Sequence, residues 1–293
     1  MNVITIDHIT KDYGGGKGVF DVDFSVEKGE VMGFLGPNGA GKTTTIRQLM
    51  GFIRPDCGTA VVNGLACFEK ASKIQKNLGY LPGEIAFMDD MTGTQFIRFV
   101  AAMKGLRDLS RAQRLQAFFE LDASGKIKKM SKGMKQKIGI VCAFMQDADT
   151  LILDEPTSGL DPLMQNKFIE LILREKQRGK TILMSSHIFE EVEKTCDRAA
   201  IIRAGRIVTV KSMAALQAKR KKRITVLFSS VANASAFAAA HPQSVLHDAA
   251  VTMPVADINT FLKALSPYPI LDITTHTQSL EELFMHFYEE DAQ

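Results

Sequence analysis

The stretch Gly36-Pro37-Asn38-Gly39-Ala40-Gly41-Lys42-Thr43 constrains this chain more than any other. It fits G-x4-G-K-[ST] and stands between an apolar segment that reads as a strand, Val31–Leu35, and one that reads as a helix, Thr44–Phe52. The glycines let the backbone wrap closely, so that successive N–H groups face inward on phosphate oxygens. The helix that follows adds the positive end of its dipole. Lys42 supplies a cation for the phosphate charge, and the Thr43 hydroxyl suits magnesium.

The surrounding pattern alternates strand-like and helix-like segments as far as Val210. Val61-Val62 and Leu78–Leu81 read as extended pieces. From Thr92 to Met145 the spacing turns helical, with Phe96, Phe99 and Val100, then Leu115, Phe118 and Phe119, recurring on one face. Strand-like Leu151–Leu153 and Thr181–Ser185 then alternate with helix-like Pro162–Arg178 and Ile188–Cys196. A hairpin of Ala199–Arg203 and Arg206–Val210 follows. Alternation of this kind predicts an α/β fold with a largely parallel sheet and an inserted helical subdomain.

A second piece of chemistry lies at Leu151-Ile152-Leu153-Asp154-Glu155-Pro156. An apolar strand ending in two carboxylates cannot bury them unpaired, so they belong beside a cation. Side chains alternate along a strand, so Asp154 and Glu155 share a site only if the ladder stops there, and Pro156 favours such a stop. Asp154 is then the magnesium-side carboxylate and Glu155 the general base for an attacking water. Thr43 and Asp154 form the expected metal set.

Further motifs carry a resemblance. Ser131-Lys132-Gly133-Met134-Lys135-Gln136 resembles the signature of ATP-binding cassette (ABC) ATPases, with Lys132 in place of the first glycine and Met134 in place of the usual glutamine. Ser158-Gly159-Leu160-Asp161 is similar to the D-loop of that family, and His187 to its switch histidine. Tyr13 stands where the family carries an aromatic against adenine. The match runs from Val3 to about Val210. It implies a P-loop NTPase fold that uses ATP and Mg2+, with Tyr13 and Gly36 to Thr44 binding ATP and Ser131, Gly133 and Met134 reaching the nucleotide in trans. Glu155 and His187 would be catalytic. Independently, Ser131 is a good N-cap, and the lysines crowding the first turn behind it make sense if an anion docks there. Exposed surface lysines are the plain alternative. One departure matters: where the family has a glutamine after Tyr-Leu-Pro, this chain reads Gly83-Glu84, so Glu84 is the candidate to approach the metal in its stead.

Composition narrows the setting. Hydrophobic residues at 45% and charged residues at 24% match a soluble globular average. No stretch approaches the ~18 consecutive apolar residues of a spanning helix, and the N-terminus lacks the features of a secretory signal. The four cysteines have no CxxC spacing and read as free thiols of a cytosolic protein. From Ile224 onward the only Lys or Arg is Lys263, against eight Asp and Glu, although the whole chain is +3. The switch follows the basic run 219–223, which reads as a solvated linker, or as a contact to an anionic membrane surface or nucleic acid. The expected division is a cassette over 1–218 with its helical subdomain at about 84–146, a linker at 219–223, and a small α+β accessory domain over 224–293. That last domain should close with an amphipathic helix, Leu280–Tyr288.

The signature wording and the ending Gln278 to Phe284 resemble stand-alone ATPases of bacterial exporters in the antibiotic-resistance, sodium-export and lipid-export branch. The resemblance implies a homodimer or heterodimer of cassettes on the inner face of the membrane, driving a separate permease. A soluble regulatory ATPase and an importer ATPase with a regulatory tail are the alternatives. Nucleic acid is not expected, because no aromatic platform accompanies the lysines.

Overall fold

The strand Val31–Leu35 is buried at every position, which suits the centre of a sheet covered on both faces. In the computed structural model it runs parallel to Thr181–Ser186 on one side and to Arg198–Arg203 on the other. Thr150–Asp154 and Gly79–Leu81 continue the parallel array beyond Thr181–Ser186, and Arg206–Ser212 closes the opposite edge as an antiparallel hairpin strand. The structure describes residues 1–218, 222–255, 257–277 and 282. The helix expected at Leu280–Tyr288 lies outside these residues but for position 282, as does most of the basic run.

The parallel pattern is only part of the first unit, Met1–Met213. Asn2–Asp12 pairs antiparallel with both Gly18–Glu27 and Cys57–Val62, and Leu65–Ala66 completes a second sheet. Its inward residues, among them Ile4, Ile6, Val22 and Phe24, join Phe34, Ile46 and Ile152 in one core. The helix Lys42–Leu49 thereby buries Ile46 and Leu49. It stops short of the expected Phe52 because Gly51 turns left-handed at φ 69. There Phe52 N–H donates to Arg47 O and Gly51 N–H to Gln48 O, a paired arrangement that satisfies carbonyls at a helix end.

The helical insertion is present as Gly93–Met103, Ser110–Phe118, a short 3-10 turn at Ile127–Lys129, and Lys132–Phe144. Thr92 and Gln95 form a reciprocal capping box at the first of these. Phe96, Ile97, Leu115, Phe119, Ile127 and Ile138 are buried within this part.

The second unit, Ala214–Gln293, has its own antiparallel sheet, in the order Val245–His247, Ala250–Pro254, Lys222–Phe228, Ile270–Thr277. The helices Val231–Ala239 and Ile258–Leu265 contribute Phe237, Phe261 and Leu265 to a core shared with Val226, Phe228, Val251 and Met253. Asp257 caps the second helix through the N–H groups of Asn259 and Thr260.

Candidate nucleotide-hydrolysis site

The loop Gly36–Thr43 leaves the central strand and enters the helix at Lys42, two residues earlier than patterning predicts. Gly41 adopts φ 111, a conformation that an L side chain resists. At Gly36 a Cβ would lie 2.4 Å from Ile202 O, so the loop presses directly on the neighbouring strand. Lys42 is only 5% exposed, and its Nζ curls back to donate to Gly36 O at 2.6 Å and Pro37 O at 3.2 Å. A cleft of about 480 Å³ opens over the loop, lined by Asn38, Lys42, Thr43 and Thr44 and also by Tyr13, Lys17, Glu155 and the hairpin turn Ala204-Gly205. Tyr13 thus faces the same space as the loop, with Lys11 Nζ 5.9 Å from its ring centre.

The ladder of Thr150–Asp154 stops at Asp154, and Glu155 takes φ 49. This left-handed step breaks the alternation that would otherwise send the two carboxylates to opposite faces. Asp154 is fully buried. Its Oδ1 accepts from Ser185 Oγ at 2.6 Å, and the same hydroxyl accepts from Glu155 N–H at 2.9 Å. Its Oδ2 is buried with no hydrogen-bond partner. A buried carboxylate oxygen left unmet costs about 1–3 kcal/mol or more, and a hard cation is the partner it suits. A Cβ at Gly83 would stand 3.0 Å from this oxygen, so the glycine leaves a cradle beside it. These residues fit magnesium, and Asp154 and Thr43 would hold it. Glu84 is exposed on the adjoining loop; the residue facing Asp154 is Gly83.

Glu155 joins three elements. Its Oε1 lies 3.0 Å from Lys42 Nζ, and its Oε2 accepts from His187 Nδ1 at 2.6 Å. His187 follows Thr181–Ser186, the strand between the other two. A phosphate-loop cation, a strand-end carboxylate and an imidazole therefore meet within direct contact.

Ser131 caps the helix Lys132–Phe144 by accepting from Met134 N–H at 3.2 Å. Gly133 packs on the turn that follows Glu155: a Cβ there would meet Gly159 O at 2.8 Å, while the Lys132 stem lies along Gly159. Ser131, Gly133 and Met134 do not line the cleft over Lys42. Two supporting residues escaped the reading of the sequence. Gln136, 5% exposed, donates from Nε2 to Pro156 O at 2.8 Å and so ties the signature helix to the strand-end carboxylates. Ser185 orients Asp154 as described. The signal for Gln136 was its place closing the signature; nothing in the sequence singled out Ser185.

This geometry defines a P-loop nucleotide site on an α/β sheet. Residues 19–158 match the sequence family described as ABC transporter. The linearmycin resistance ATP-binding protein LnrL of Bacillus subtilis is 36% identical over 213 residues, covering 71% of this chain and 68% of that one. The Nod factor export ATP-binding protein I of Burkholderia orbicola is 37% identical over 213 residues, covering 70% of each. A solved ATP-binding subunit of an ABC transporter superposes with a TM-score of 0.67 at 30% identity, over 74% of this chain and 92% of its own. The chain belongs to the ATP-binding proteins of the ABC transporter family. Among the described residues no helix is long and apolar enough to cross a membrane.

Proposed function

We propose that this chain hydrolyses ATP as the stand-alone energising subunit of an exporter whose permease is a separate membrane chain. The observation that carries this reading is the contact of Glu155 with Lys42 and His187 at once. Phosphates enter the cleft against the loop N–H groups and the N-terminus of Lys42–Leu49. Lys42 exchanges its contact with Glu155 for the β/γ-phosphates. Glu155 takes a proton from the water that attacks the γ-phosphorus, and ADP departs as the phosphorus–oxygen bond breaks. His187 holds Oε2 so that Oε1 is the free base. Magnesium, when bound, neutralises charge on the phosphate oxygens.

Tyr13 supplies an apolar face for the base of the nucleotide. Ser131, Gly133 and Met134 complete the site of a second cassette, and closure of two cassettes around two ATP molecules drives the permease. Residues 92–122 form the docking surface for that permease at the inner face of the membrane, and 224–293 form an accessory domain with a core of its own. Glu84, on the loop that leads to the helical region, is the candidate to approach magnesium in place of the family's glutamine. Export finds support in the linearmycin resistance and Nod factor export relatives.

The direct test is turnover. Glu155→Gln should bind ATP and lose about 10²–10⁴ in rate, the usual loss when a positioned base is removed. Near-normal turnover would overturn the assignment. Purification of the native protein with a membrane chain attached supports the transport reading, and its isolation without one favours a soluble regulator.

A further inference from the structure

Glu191 takes no part in the chemistry above, yet it is 4% exposed and lies beneath the site on the helix Phe189–Thr195. Its Oε2 accepts from Ser186 Oγ at 3.0 Å. Ser186, itself 1% exposed, also accepts from Ile188 N–H at 2.9 Å, so this hydroxyl brackets His187 from both sides. The Glu191 side chain thus backs the segment that carries His187 away from its strand.

We infer that Glu191 is a positioning residue for hydrolysis, holding through Ser186 the step around His187 and so fixing the bond between His187 and Glu155. Glu155 sits in a left-handed conformation that a carboxylate-bearing residue adopts only when its surroundings hold it there. The step it holds carries His187 into its 2.6 Å contact with Glu155. The second oxygen of Glu191, Oε1, is buried without a hydrogen-bond partner, which costs a carboxylate more than a neutral acid. Burial pushes this carboxyl above the ordinary range, and nearby Glu155 adds to the effect while His187 opposes it. A glutamine, neutral and of the same shape, is therefore the appropriate mimic.

The inference rests on Glu155 and His187 acting in hydrolysis, and steady-state ATPase kinetics on the full chain separate the two claims. Glu191→Ala should lower kcat by about 10²-fold, the scale for a displaced reactive group, with KM and equilibrium ATP binding unchanged. Glu191→Gln should restore most of the rate, and Ser186→Ala should reproduce part of the loss. In a Glu155→Gln background, Glu191→Ala should cost nothing more, because both act on one step. A normal kcat for Glu191→Ala alongside an inactive Glu155→Gln would overturn this inference alone, whereas normal turnover by Glu155→Gln would overturn the reading beneath it. A Glu191→Gln protein that binds ATP yet is as slow as Glu191→Ala also overturns it. Should Glu191→Ala fail to fold, Ser186→Ala cuts the same tie, and a wild-type rate there would overturn it.

Discussion

Lys42 Nζ lies 3.0 Å from Glu155 Oε1, so the cation of the phosphate loop and the carboxylate at the strand end are paired with each other. Both are largely withdrawn from water, with side-chain exposures of 5% and 19%. A desolvated pair is hard to break by removing one partner, because the other charge is left uncompensated. In the proposed mechanism an incoming phosphate supplies the replacement and releases Glu155 toward the attacking water.

The first prediction concerns affinity. In Glu155→Gln the phosphate no longer competes with a carboxylate for Lys42, so ATP should bind about tenfold more tightly, in line with one charge-assisted hydrogen bond. Lys42→Ala should lose tight binding. Equilibrium titration with a fluorescent ATP analogue checks both. Equal affinities for Glu155→Gln and the parent would show that the pair does not oppose nucleotide entry.

The second concerns cooperation between chains. Ser131 and Gly133 stand outside the cleft over Lys42, so one chain should not complete its own site. Mixing Lys42→Ala with Ser131→Arg chains should regenerate one intact composite site and part of the ATPase rate. A mixture no more active than its components would count against cooperation in trans.

The third concerns acid stability. Asp147 accepts from Arg178 at 2.7 Å, with Arg111 and Lys180 also within 4 Å, and its carboxyl falls from 3.8 to about 2. The Arg178 hydrogen bond is the main cause. The folded state therefore holds Asp147 ionised where the unfolded chain protonates it. Its contribution is complete above 3.8 and is lost as pH falls toward 2. Asp147→Asn should lower the melting temperature near neutrality and flatten its decline between these limits. Asparagine tolerates the left-handed φ of 57 at this position. Thermal melts across the acid range decide the matter; a variant with the parent's acid slope would exclude Asp147 as the titrating group.

The fourth concerns the second unit. A chain ending at Arg223 should retain nucleotide binding, since the cleft is lined by residues from Tyr13 to Gly205. A truncated protein that neither folds nor binds ATP would make residues 224–293 part of the cassette core.

The sequence alone determined the phosphate loop, because its chemistry is local. The glycines between Gly36 and Gly41, Lys42 and Thr43 lie within one strand–loop–helix passage, and no distant contact is needed to aim their N–H groups. The same holds for the stop after Asp154, where Pro156 marks the end of a ladder, and for the Ser131 cap, which spans three residues. Tertiary structure alone decided which of these local pieces meet. Lys42, Glu155 and His187 converge because Val31–Leu35, Thr181–Ser186 and Thr150–Asp154 are neighbours in that order, and hydrophobic periodicity does not encode strand order. For the same reason Gln136, Ser185 and Glu191 read as ordinary polar positions until their partners on other elements are known. The departure at Gly83-Glu84 shows the limit most sharply. The carboxylate of Glu84 drew attention in the sequence, but the fold turns Gly83 toward Asp154, and the direction of a loop is set by what packs against it.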